Sequence, residues 1–247
     1  MPTRCVISSS NSASRVRWCQ WPWCADAPGE LVKESNMQTI QLNRRTWLQA
    51  AAAGCAWPMA QAWAQPFQEG SDYVKLSQPV APSVEPGQVL VLEFFAYTCI
   101  HCYRLEAALT RWAKQQPSSV VVQRVPVQFA PAMLGLQKLY YTLEGMDALD
   151  TLHPKVFVAI HEQRQRLLSD AAIKRWVQAQ GVDMTRFNDL YDSFGVAGKA
   201  TRAVQLTNSY QVEGTPALGV GGRYLVPGQG ERTLQIANQL IKQLRGV

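Results

Sequence analysis

What most constrains this chain is where its cysteines lie. Of the six, Cys5, Cys19, Cys24 and Cys55 fall in the first quarter. Beyond them stand only Cys99 and Cys102, three positions apart. A fold stapled by disulfides would spread its cysteines through the folded part. Here that part has one Cys-x-x-Cys, so cysteine serves chemistry rather than architecture. Just before the pair, Val89–Phe95 (VLVLEFF) is an apolar run broken by one acid, which suits a central strand buried on both faces. From His101 to about Gln115, the residues Leu105, Ala108, Leu109 and Trp112 fall at i, i+3, i+4 and i+7. That is a helical stripe, and Pro117-Ser118-Ser119 closes it. The motif therefore occupies a strand-to-helix junction.

Val120–Phe129 is strand-like again, and strand, helix, strand in that order predicts a parallel pair with a crossover. From about Pro131 to Lys199 the pattern turns helical, with apolar groups such as Leu139, Tyr140, Leu143, then Val156, Ile160, then Ile173, Trp176, Val177, punctuated by Gly145, Gly181 and Gly195. A further helix over about 196–210 returns the chain to the sheet. Gly214-Thr215-Pro216 then leads into a short strand, Ala217–Val220. Gly221-Gly222 predicts a hairpin turn into a strand at Arg223–Val226, and Thr233–Leu244 reads as a final amphipathic helix. The expected fold class is α/β, with an all-helical domain at 131–200 inserted between the two halves (65–130 and 201–247) of a sheet domain.

The first 64 residues read as an address. Residues 37–64, MQTIQLNRRTWLQAAAAGCAWPMAQAWA, have a short charged start, an Ala-rich middle and an Ala62-Trp63-Ala64 cleavage site before Gln65, which is the order of a secretory signal. Asn43-Arg44-Arg45-Thr46-Trp47-Leu48 resembles a twin-arginine signal. Asn43 and the absence of a Lys after Leu48 depart from that pattern and leave the general route open. Ala52-Ala53-Gly54-Cys55 resembles a lipoprotein box that would make Cys55 a lipid anchor; the good A-x-A site makes this the lesser alternative. Residues 1–36 have no periodicity. Lys33-Glu34 can be encoded by a ribosome-binding sequence ahead of Met37, so translation is expected to begin at Met37, with 1–36 a disordered upstream extension whose cysteines have no function. The formal charge of +6 does not point to nucleic acid. Residues 1–64 hold six Lys and Arg against three Asp and Glu, leaving 18 against 15 beyond them, with no basic run or stacking motif. No stretch reaches the roughly 18 apolar residues of a membrane span.

The residues around the pair suit thiol chemistry. Free backbone N–H groups at a helix start favour an anion such as a thiolate. Cys99, at the edge of the turn, is the expected nucleophile, and Cys102, one turn into the helix, the shielded resolving thiol. His101 can donate a hydrogen bond to the thiolate or, when charged, pair with it. Glu93, the lone acid of the strand, is expected to be buried with a raised pKa and to serve as proton acceptor for Cys102; a strand-edge position in solvent is the alternative. Thr215-Pro216 is read as a cis turn beside the cysteines, with Thr215 presenting backbone groups to an extended client. An ordinary trans turn fits the sequence equally well.

Leu92-Glu93-Phe94-Phe95, Cys99-Ile100-His101-Cys102-Tyr103, the helical insertion and Gly214-Thr215-Pro216-Ala217 before the last hairpin closely resemble the DsbA family of periplasmic disulfide oxidases. The resemblance runs from about Tyr73 to the C-terminus. It implies a thioredoxin-like fold, a cis Pro216, and a redox-active Cys99–Cys102 disulfide with no other cofactor. It also implies donation of that disulfide to reduced, newly exported proteins, and recycling by a DsbB-like membrane quinone reductase. Two positions depart from the family pattern. Ile100 stands where Pro is usual, and Thr215 where Val is common; both are placed with Pro216 as client-binding residues. The expected protein is a periplasmic, monomeric thiol:disulfide oxidoreductase. A reductase or isomerase of the same fold is the runner-up. A metal site built on Cys99, His101 and Cys102 is the alternative of another class; His153 and His161, eight apart, supply no adjacent-turn pair for it, and no metal is expected.

Overall fold

The computed structural model describes residues 67–246; the readings made for residues 1–64 lie outside them. The apolar run before the motif forms β2 (Val89–Phe95), buried at every position. It lies inside a five-stranded sheet with β1 (Val74–Lys75), β3 (Val120–Pro126), β4 (Ala217–Val220) and β5 (Tyr224–Pro227), in the order β1-β5-β4-β2-β3. β2 runs parallel to β3, Val89 opposite Val120 and Phe95 opposite Pro126. It runs antiparallel to β4, Phe94 opposite Ala217. The parallel pair is joined through α1 (Ile100–Lys114), as the strand-helix-strand order requires.

β3 is shorter than the expected Val120–Phe129. After Phe95 its partner β2 turns out of the sheet to start α1, and the last tie is Val127 N–H to Phe95 O at 2.8 Å. With no strand left to pair with, residues 127–129 continue as a loop, and Phe129 is left half-exposed. The hairpin at Gly221-Gly222 has the paired positive φ angles, 59° and 67°, that a tight turn between antiparallel strands demands. Short β1, which pairs with β5, was not foreseen; its exposed Val74 and Lys75 give no alternating pattern to read.

Between β3 and β4 run α2 (Leu134–Gly145), α3 (Leu149–His161), α4 (Asp170–Ala179), α5 (Met184–Tyr191) and α6 (Phe194–Ser209). The side chains of Ser169, Asp183 and Ser193 cap α4, α5 and α6 by accepting from free first-turn N–H groups. Position 200, where the expected helical insertion ends, lies inside unbroken α6.

The pleat divides the core. Leu90, Leu92 and Phe94 of β2 share one apolar cluster with Leu139, Phe157, Phe187 and Tyr210 of the helical segment. Val89 and Val91 point the other way, into a cluster with Leu105 and Leu109 of α1 and Ile236 and Leu240 of α7 (Arg232–Arg245). Each fully buried Leu or Phe contributes about 1.5–3 kcal/mol, so both faces of the sheet anchor the end of β2 where the motif begins. Gly219 of β4 lies flat under Tyr210: a Cβ there would meet the ring at 2.3 Å.

Candidate active site

Cys99 is the N-cap of α1, in extended conformation, and its sulfur accepts from Cys102 N–H at 3.4 Å. It is partly exposed, whereas Cys102, one turn on, is 1% exposed; both are free thiols. The two sulfurs are driven apart electrostatically. A hydrogen bond from the Cys102 thiol, then bonds from the Thr215 side chain and from the Cys102 and His101 backbone N–H groups, outweigh burial and lower the Cys99 pKa from 9.0 to about 5. The same contact with Cys99, reinforced by burial, pushes the Cys102 thiol far up. One sulfur of the pair is thus a stable thiolate and the other a proton-holding thiol.

The other expected residues fall around them. Thr215 lies two residues before β4, its peptide bond to Pro216 is cis, and its carbonyl oxygen lies 3.2 Å from Cys99 Sγ. Ile100, the first residue of α1, is 38% exposed beside Cys99. His101 is exposed, and its backbone N–H is the part that bears on Cys99. Together His101, Arg104, Glu213, Thr215, Pro216 and Glu231 wall much of an open groove of about 1050 Å³, at the upper limit for a binding cleft. Its floor needs close backbone approach: a Cβ on Gly228 would lie 2.6 Å from Pro216 O.

Glu93 is buried as expected, 1% exposed, and burial raises its pKa to about 8. Its carboxylate, however, faces Arg124, directly across the β2–β3 register, with Nε 3.0 Å from Oε2 but off the line of a hydrogen bond. The guanidinium gives its aligned bond, 2.7 Å, to Glu106 of α1 instead. One cation therefore serves two buried acids, which leaves Glu93 the protonated partner. No hydrogen bond or ion pair joins Glu93 to Cys102.

Three residues of this neighbourhood escaped the sequence reading. Glu106 falls on the buried face of α1, and Arg124 interrupts a valine-rich strand; each was legible as a charge out of pattern. Tyr97, immediately before the motif and 2% exposed, carried no such signal. Among the described residues, no group of three or more His, Cys, Asp and Glu is arranged to hold a metal.

The DSBA-like thioredoxin domain matches residues 90–239, from β2 to α7. The chain belongs to this family. A thiol:disulfide interchange protein DsbA from Bordetella parapertussis is 44% identical over 200 residues, 79% of this chain and 95% of that protein. One from Pseudomonas aeruginosa (strain PAO1) is 34% identical over 188 residues, 74% and 89%. The crystal structure of Pseudomonas aeruginosa DsbA superposes with a TM-score of 0.70 at 34% identity, covering 73% of this chain and 95% of that one. The oxidoreductase NmDsbA1 from N. meningitidis gives 0.66 at 30%, covering 72% and 94%. The α/β, thioredoxin-like fold with its helical insertion is thus that of a DsbA-like protein, and the chemistry is thiol:disulfide interchange, carried by the chain's own cysteines.

Proposed function

We propose that the protein acts as a disulfide donor, with Cys99 as the exchanging sulfur and Cys102 as its resolving partner. The carrying observation is the asymmetry of the pair: a partly exposed Cys99 titrating at about 5 beside a buried Cys102 whose thiol is pushed up. A client thiolate attacks Cys99 Sγ of the Cys99–Cys102 disulfide; the S–S bond breaks, and Cys102 leaves and takes up a proton. A second client thiolate then attacks the client sulfur of the mixed disulfide and displaces Cys99 as its stable thiolate. The client loses two electrons and the protein gains them. A leaving thiol of low pKa departs faster and makes its disulfide the stronger oxidant.

The groove at Thr215 and Pro216 is the place for the client. An extended chain there meets the main chain of Thr215 in the manner of strand addition, with exposed Ile100 as an apolar contact. His101 gives its backbone N–H to the thiolate and its ring to the groove wall. Glu93 enters as a buried acid able to exchange a proton near neutrality, seated on Arg124 rather than on Cys102. Residues 37–64 as an export signal place the protein in the periplasm, where reduced exported proteins are the clients and a DsbB-like membrane quinone reductase restores the disulfide of a monomer. The sheet strands with α1 and α7 form the exchanging domain, and α2 to α6 are the helices inserted between β3 and β4. No helix among the described residues is long and apolar enough to cross a membrane.

The reduction potential of the pair, by equilibration with glutathione, tests the direction of transfer. A value well above thioredoxin's, about −270 mV, is expected. A value at or below it makes the disulfide too stable to give away, and a reductase takes the donor's place.

A further inference from the structure

Helix α3 carries His153, Phe157 and His161, four residues apart and so on one face. Between them they hold both tyrosines that bracket the redox motif. Tyr97, two residues before Cys99, has its hydroxyl 2.7 Å from His153 Nδ1 and its ring against Phe157, centroids 5.0 Å apart. Its backbone carbonyl accepts from His161 Nε2 at 2.8 Å; a carbonyl can only accept, so Nε2 carries the proton. Tyr103, directly after Cys102, stacks on the His161 ring with planes 9° apart and centroids 5.2 Å apart, and its hydroxyl bonds Glu162. The segment so gripped is the turn that Cys99 N–H closes onto Ala96 O at 3.0 Å.

We propose that His161 is a positioning residue for exchange: its Nε2–H holds the Tyr97 carbonyl while its ring braces Tyr103, so that α3 fixes the turn presenting Cys99 to the start of α1. This rests on Cys99 being the exchanging sulfur. The thiolate depends on N–H groups aimed at it, and at 3.4 Å the Cys102 N–H contact tolerates little outward drift. A leucine at 161 would fill the same space against Phe157 and Tyr103. Only a donor answers the carbonyl in the middle of the turn, where an unpartnered polar group is costly. The helical insertion thereby reaches the chemistry without supplying a reacting atom.

The test is a pair of variants of the purified protein, read by the ultraviolet absorbance of the Cys99 thiolate against pH and by glutathione equilibration. His161→Phe keeps the stacking and removes the donor; His161→Gln keeps an N–H near the position of Nε2. His161→Phe is expected to move the thiolate titration upward and to shift the equilibrium roughly threefold to tenfold toward the oxidised protein, about the worth of one lost hydrogen bond. His161→Gln stays near the parent. Parent-like behaviour of His161→Phe overturns the inference, as does a shift in His161→Gln as large as that of His161→Phe. If His161→Phe does not fold, His161→Asn, too short to reach the carbonyl, replaces it with the same expectation. A parent protein whose Cys99 titrates as an ordinary thiol overturns the proposed function itself, and this inference with it.

Discussion

Thr215→Val removes one hydroxyl and keeps the shape of the side chain, so it isolates one of the groups that hold Cys99 as a thiolate. That sulfur titrates at about 5 instead of 9.0, and the donors responsible are the Cys102 thiol, the Thr215 side chain and two backbone N–H groups, acting against burial. Burial offsets part of what the donors contribute together, and the share of one side-chain donor to the thiolate is on the order of one pH unit, about 1.4 kcal/mol. Cys99 is partly exposed, so solvent screening reduces the share to about 0.7–1.4 kcal/mol. At neutral pH the cost falls on the reduced protein alone, because the disulfide has no thiolate to lose. The potential should therefore drop by about 15–30 mV, and the thiolate titration should move upward by the matching amount. Glutathione equilibration and ultraviolet titration of the same samples measure the two independently. An unchanged titration, or a potential that rises, refutes the assignment of the Thr215 hydroxyl to the sulfur. A potential that falls without a change in titration moves its effect to the disulfide form.

Two further outcomes concern the scaffold. Burial raises the Glu93 carboxyl from 4.5 to about 8, so across that window the folded protein keeps a proton that the unfolded chain has released, and stability falls as pH rises. Glu93→Gln should remove this slope and so gain on the parent, by on the order of a few kcal/mol, as pH rises from about 5 to 8; parallel pH profiles of denaturant midpoints would refute the buried-acid reading. Gly219→Ala drives a methyl to within 2.3 Å of the Tyr210 ring, which is itself 1% exposed and 5.2 Å from Phe94 and cannot swing aside. A loss of about 1–3 kcal/mol is expected, measured by denaturant unfolding, and no loss would mean that β4 shifts freely over α6.

The parts of this fold that were legible are those with strong periodicity. β2, α1, the Gly221-Gly222 hairpin and α7 follow from runs, stripes and turn glycines within one or two residues. The end of β3 was not, because Val127 and Phe129 are as strand-like as the residues before them; what stops the strand is the departure of β2, a tertiary fact. In the site, Cys99 and Cys102 were legible from their spacing at a strand-to-helix junction, whereas residue type left the Thr215-Pro216 turn open between cis and trans, and only the family resemblance favoured the cis bond that the structure has. Glu93 was legible as a buried acid, yet its partner was not, since Arg124 meets it only through the parallel register. In the sequence His153 and His161 suggest only metal ligands, and their spacing of eight argues against that. Their contacts with Tyr97 depend on how α3 lies across α1, which no local pattern encodes.

Cys99 and the Thr215 carbonyl that lies against it are 116 residues apart in the chain, and the whole helical segment separates them. No fragment that ends before Thr215 contains the site. While the chain is unfolded, both cysteines are ordinary thiols, protonated at neutral pH and slow to exchange. The share of Cys99 reactivity owed to Thr215 is added only when the last strands close on the start of α1, a late step for contacts of such long range. The enzyme is thereby protected from trading disulfides with its neighbours, or with itself, before it has a groove in which to choose a partner.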